Sequence, residues 1–147
     1  MTDEINQNFY IAYQVNKTIR YVKKQQGDVS EVKDELATGI ATEVHHIFPK
    51  SQFPQISSFF ENLILLTSSQ HRQKAHPNGN TQFADPDYQI VCLMAKSKTI
   101  EDSLKKGETF YRRESFVHVL NTGFNENLDA DSEFANINKF LVYKLQK

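Results

Sequence analysis

The stretch from Ile40 to Pro77 limits the fold of this chain more than any other. Its strand-forming sequence comes in two short pieces with an irregular loop between them. Thr42, Val44, Ile47 and Phe48 are β-branched or apolar and favour a strand, which Pro49 ends. Leu63-Ile64-Leu65-Leu66 reads as a second, short buried strand, although four apolar residues alone do not exclude a turn of helix. Residues 50–61 carry Pro54, three serines and the aromatics Phe53, Phe59 and Phe60 with no clean period, the pattern of a loop pinned by rings. Thr67 or Ser68 then offers an N-cap for a short helix over residues 70–74, and Pro77-Asn78-Gly79-Asn80 is turn chemistry that stops it. Strand, loop, strand and short helix in this order make a ββα unit.

The flanks read as helical. Residues 8–26 place Phe9, Ala12, Val15, Ile19 and Val22 at spacings of three and four, and Gly27 is a stop signal. Ser30 offers an N-cap for a short helix over residues 31–37 that Gly39 would close. Asp85-Pro86 opens another helix, with proline at its first position, and Gly107 closes it after Lys105-Lys106. A helix over residues 112–122 with Gly123 as its stop follows, then one from Asp131 or Ser132 towards Leu145. The expected fold class is therefore α+β. A small ββα core at about 41–77 is packed among helical flanks at 8–38 and 85–146, all within one domain.

Composition agrees with one domain. A chain of 147 residues with 39% hydrophobic content is long enough to bury a core without covalent staples. Cys92 is the single cysteine, which excludes an intramolecular disulfide framework and any zinc knuckle built from several thiolates. Residues 1–6 lack the basic start and apolar core of a signal peptide. Apolar runs such as residues 90–95 fall far short of the roughly 20 residues of a membrane span, so a cytoplasmic protein with no membrane partner is expected. The net charge of −1 leaves no overall basic footprint for nucleic acid. Lys17, Arg20, Lys23 and Lys24 nevertheless bunch together, as do Glu126, Asp129, Asp131 and Glu133. Such runs are ordinarily solvated surface, yet a basic face opposed by an acidic one still permits DNA binding.

Four of the five histidines fall inside the ββα window, at His45, His46, His71 and His76. One histidine alone is ordinarily a solvent-facing or hydrogen-bonded ring; the ordered set is what suggests chemistry. The pair Glu43-Val44-His45-His46-Ile47-Phe48-Pro49, the Glu61-Asn62-Leu63 step and His71 together resemble the HNH, or ββα-metal, nuclease family. The doubled histidine looks like the variant of colicin-type DNases, whose spacing is similar to the 16 positions from His46 to Asn62 and the 9 from Asn62 to His71. The words around it are also typical of HNH domains in bacterial restriction endonucleases. His118, set among Phe116, Val117 and Val119 with no partner motif, reads as structural.

The resemblance implies roles. Successive side chains on a strand point to opposite faces, which suits a division of labour with His45 on a metal and His46 on water. A neutral imidazole of ordinary pKa near 6.5 accepts a proton from water, so His46 is the candidate general base. In this family the other nitrogen of that ring meets a backbone carbonyl in the loop. Asn62, both donor and acceptor, would tie the loop and hold the His46 strand in register. His45 and His71 would be metal ligands. His76, five residues beyond His71 and next to Pro77, is a third candidate ligand whose competing role is phosphate contact. Two imidazoles with waters and phosphate oxygens suit Mg²⁺ or Mn²⁺, whereas three favour Zn²⁺ or Ni²⁺. Lys50, Arg72 and Lys74 flank the motif and would hold the phosphate backbone of double-stranded DNA.

The expectation is a metal-dependent DNA endonuclease of a restriction or other defence system. A homodimer or a larger parent polypeptide would be its route to double-strand breaks. The rivals are a non-catalytic metal-stabilised nucleic-acid-binding or protein-binding module, and a nuclease toxin acting on RNA or nonspecific DNA.

Overall fold

The computed structural model describes residues 3–75 and 85–146. Helix α1 (Asp3–Gln26) begins a turn ahead of its apolar period. Val15, Thr18 and Val22, three and four apart, form its buried stripe, and Gly27 and Asp28 end it with φ of 62° and 64°.

The expected helix over residues 31–37 is absent. Here the backbone and short polar side chains bond to distant partners instead of closing a local helix. Glu31 N donates to Leu65 O at 3.0 Å, and Leu65 N donates to the Glu31 carboxylate at 2.8 Å. Asp34 accepts from Leu36 N at 2.9 Å and from the Tyr88 hydroxyl at 3.0 Å. Tertiary bonds thus replace the helical ladder, and Gly39, at φ 89°, serves a turn into the sheet.

Strands β1 (Ala41–His46) and β2 (Leu63–Thr67) pair antiparallel with Val44 opposite Leu65, His45 opposite Ile64 and His46 opposite Leu63. All five residues of β2 are buried, which explains its unalternating apolar run. Helix α1 packs on both strands. The connecting loop makes two short 3₁₀ turns, Pro54–Ile56 and Phe60–Asn62, and Ile56 is buried in the core.

Helix α2 (Ser68–Gln70) is opened by a capping box: the Thr67 hydroxyl accepts from Gln70 N, and the Gln70 side chain accepts from Thr67 N. The chain continues as a wider π-type turn over His71–Ala75. Helix α3 (Pro86–Lys105) starts with Asp85 accepting from Tyr88 N, as its Asp-Pro signal predicts, and Gly107 follows its end at φ 79°.

Helix α4 (Arg113–Phe124) runs past the expected stop and ends at Asn125, which takes the left-handed conformation. Gly123 has a different reason to be small. A Cβ there would lie 2.3 Å from the Phe48 ring, so the glycine lets that ring lie against the helix backbone. Helix α5 (Phe134–Leu145) starts slightly later than expected and packs on α3.

The architecture is α+β, a two-stranded hairpin with a short helix set among longer ones. Its elements share one hydrophobic core containing Ile47, Phe48, Ile64, Leu66, Leu93, Phe116, Leu120 and Leu141. Within that core Lys96 is fully buried and meets Glu31 at 3.1 Å and the Tyr111 hydroxyl at 2.7 Å. Among the described residues no helix is long and apolar enough to cross a membrane.

Candidate metal centre and its cleft

The hairpin ends where the histidines stand. His46 closes β1, and the chain then climbs through Ile47 and Phe48 into the core. That exit is held by Asn62, which is fully buried. Phe48 N donates to Asn62 Oδ1 at 2.9 Å, while Asn62 Nδ2 donates to the carbonyls of Phe48 at 3.1 Å and Ile56 at 3.3 Å. Ile47 N also donates to Asn62 O at 2.8 Å. One amide thereby fixes the strand exit and the loop together. Asn62 is not among the residues lining the cleft, so it acts by holding others in place.

The loop fixed in this way presents the carbonyl of Ser57 to His46, whose Nε2 lies 2.9 Å from it. A carbonyl only accepts, so Nε2 carries the hydrogen and Nδ1 keeps the lone pair in the neutral ring. Ser57 is itself pinned, its hydroxyl donating to Pro54 O at 2.7 Å. Burial holds the His46 pKa below the usual histidine value. The hydrogen bond to Ser57 opposes that effect, and the charge of Lys50 adds to it. The ring is therefore held towards its neutral form.

His45, one residue back on β1, is almost wholly buried. Its ring meets that of His71 with centroids 5.3 Å apart and planes at 61°. His71 is the first residue after Gln70, whose buried side chain is fastened on several sides. The Ser30 hydroxyl and Thr67 N donate to its Oε1, while its Nε2 donates to Val32 O at 2.7 Å and to Asp34 at 2.9 Å. The loop that failed to become a helix is thus the support of His71.

Two rings so placed fit a shared cation. With metal–nitrogen bonds of about 2.1 Å and ligand angles between octahedral and tetrahedral, ring centroids fall roughly 4.6–5.3 Å apart, and the observed 5.3 Å lies at the tetrahedral end. Among the described residues no group of three histidine, cysteine, aspartate or glutamate side chains stands together as a metal cage. His76, the third expected ligand, lies outside the described residues.

His45, His46 and His71 line one cleft of about 340 Å³. Lys50 and Ser51 line it as well, and its far wall is α1 through Val15, Asn16 and Ile19. Of the expected phosphate contacts, Lys50 stands in the cleft. Arg72 is exposed and its guanidinium donates to Ser68 Oγ at 2.7 Å, whereas Lys74 is engaged in an ion pair with Glu35 at 2.6 Å. His118 is exposed on α4 with its ring against Phe59. A larger cavity of about 580 Å³ lies elsewhere, between the ends of α1 and α3 and lined by Glu31, Lys98 and Tyr111; it contains no histidine.

Sequence reasoning missed the α1 wall. The helical period shows which stripe of α1 is buried, but no local signal tells which flank looks onto the histidines. The chain matches no family model, no curated protein and no solved structure.

Proposed function

We propose that the chain is a metal-dependent endonuclease of HNH type that hydrolyses phosphodiester bonds in DNA. One observation carries this reading. His46, with its Nε2 hydrogen committed to the Ser57 carbonyl, shares a cleft with the paired rings of His45 and His71. A base and a two-imidazole ligand set lie side by side.

In the proposed reaction, His46 Nδ1 takes a proton from water as the water oxygen forms a bond to phosphorus and the bond to the leaving 3′-oxygen breaks. The imidazolium formed is stabilised by the Ser57 carbonyl, because a hydrogen bond to an acceptor favours the charged ring. A divalent ion held by His45 and His71 would supply charge neutralisation at the phosphate and the leaving oxygen. Lys50, in the same cleft, adds a cation for the phosphate, and Asn62 keeps the base and its carbonyl in register. One cleft cuts one strand, so a double-strand break, as a restriction or defence enzyme would make, requires two copies or a larger assembly.

Plasmid cleavage across Mg²⁺, Mn²⁺, Ni²⁺ and Zn²⁺ tests the reading. His46→Ala is expected to cut the rate roughly 100-fold or more, the range of a lost general base, while binding metal as the parent does in calorimetric titration. His45→Ala and His71→Ala are expected to lose both. Parent-like cleavage by His46→Ala removes that ring from the mechanism.

A further inference from the structure

The cleft has a wall that the ββα unit does not supply. Helix α1 contributes Asn16 and Ile19 to it. With 3.6 residues per turn, the positions continuing that flank towards the C-terminus are Arg20 and Lys23, with Lys24 beside them. All three are exposed, and among the described residues none makes an ion pair or a side-chain hydrogen bond. Their neighbour Lys17 differs, since its ammonium lies over the Tyr21 ring. No carboxylate occurs between Glu4 and Asp28, so this flank is cationic although the chain carries a net −1.

These uncompensated cations stand in line with the cleft, whereas several basic groups elsewhere are paired. Lys74 is neutralised by Glu35, Lys98 by Asp102, Arg113 by Glu133 and Lys144 by Glu126. The ββα unit by itself therefore offers few cations for a polyanion, Lys50 and Arg72 being those not tied to a carboxylate.

We propose that this flank of α1, through Asn16, Arg20, Lys23 and Lys24, is a track for the phosphate backbone of duplex DNA leading out of the cleft. The inference rests on the nuclease reading for its ligand. From Asn16 to Lys24 the helix advances about 12 Å, which matches roughly three to four base steps of a strand rising 3.4 Å each. Contacts of this kind neutralise phosphates and position the duplex without reading its sequence. The helix thus supplies the affinity, and the histidines the chemistry.

The test is duplex affinity over a salt series, in EDTA and in the His46→Ala background, so that neither metal nor cleavage enters. Arg20→Ala with Lys23→Ala is expected to weaken binding to unrelated duplexes alike, by roughly fivefold to tenfold per residue near 0.1 M salt, and to lower the salt slope by about one per residue. Lys98→Ala with Lys106→Ala, on α3 and at its C-cap beside the other cavity, removes the same charge and is expected to leave both quantities unchanged. Equal losses in the two double variants would reduce the effect to net charge and overturn the track. So would unchanged affinity in Arg20→Ala with Lys23→Ala, including the case where helix stability falls because Lys23 and Lys24 serve only the helix end. Cleavage by the parent is scored separately. If the parent cleaves and the α1 variants bind as before, the track fails and the nuclease stands. If binding depends on α1 but no metal supports cleavage, the nuclease reading fails and the track stands.

Discussion

Replacing Asn62 by alanine would show how much of the site depends on one buried amide. The substitution leaves the Phe48 N–H and the carbonyls of Phe48 and Ile56 without that partner in a region closed to water. A buried donor left unsatisfied costs about 1–3 kcal/mol and each carbonyl somewhat less, so a loss of about 3–4 kcal/mol in stability is expected. Against a typical total of about 5–15 kcal/mol the protein would remain folded at room temperature. For a chain of this length the melting temperature should fall by roughly 10 °C. Urea and thermal unfolding measure the loss, and cleavage is assayed at a temperature where the variant is fully native. Cleavage per folded molecule should drop as well, because the Ser57 carbonyl that orients His46 sits on the loop Asn62 holds. Metal affinity should change little, since His45 lies within β1 and His71 is held through Gln70. Asn62→Asp is not a rescue: its Oδ1 can still accept from Phe48 N, but the second oxygen would face two carbonyls. A melting temperature within about 2 °C of the parent, with full cleavage, would refute the account.

Two further outcomes follow from named contacts. With metal saturating, the cleavage rate should be flat from pH 8 down to the ordinary histidine value and fall only below it. The neutral ring is the active form, and burial lowers the pH at which the ring protonates. A rate already falling between pH 8 and 7 would assign the limb to another group. Gly123→Ala should destabilise by about 1–3 kcal/mol despite the better helix propensity of alanine. The new methyl would overlap a Phe48 ring that Phe53 and Phe124 hold from other sides. A higher melting temperature in that variant would mean the ring steps aside freely.

What could be read in the sequence was what local chemistry decides. The period of α1, the Asp85-Pro86 cap, the proline after β1 and the Thr67 cap are each settled within a few residues, and each recurs in the structure. The ββα order was legible for the same reason, whereas the meeting of His45 with His71 was implied only by the resemblance of the ordered histidine set. Residues 31–37 were misread because their hydrogen-bond partners, Leu65, Gln70 and Tyr88, lie more than thirty positions away, and helix propensity carries no trace of them. Gly123 was misread because a glycine admitted for a close approach looks the same in sequence as one that stops a helix. The Ser57 carbonyl could be anticipated as a contact but not located, since every residue has one. The pairing of Lys74 with Glu35 joins the ββα helix to the loop before the sheet, and only the fold brings them together.

The bond between Glu31 and Leu65 also bears on how this protein meets other chains. A strand with its outer N–H and C=O groups bare is a template on which a foreign strand can lengthen the sheet. Both such groups of Leu65 are already occupied, the carbonyl by Glu31 N and the amide hydrogen by the Glu31 carboxylate. An invading strand would have to expel that carboxylate and leave the ammonium of Lys96 unpaired in the core. Growth of the sheet past β2 at Leu65 is therefore opposed by charge as well as by hydrogen bonding.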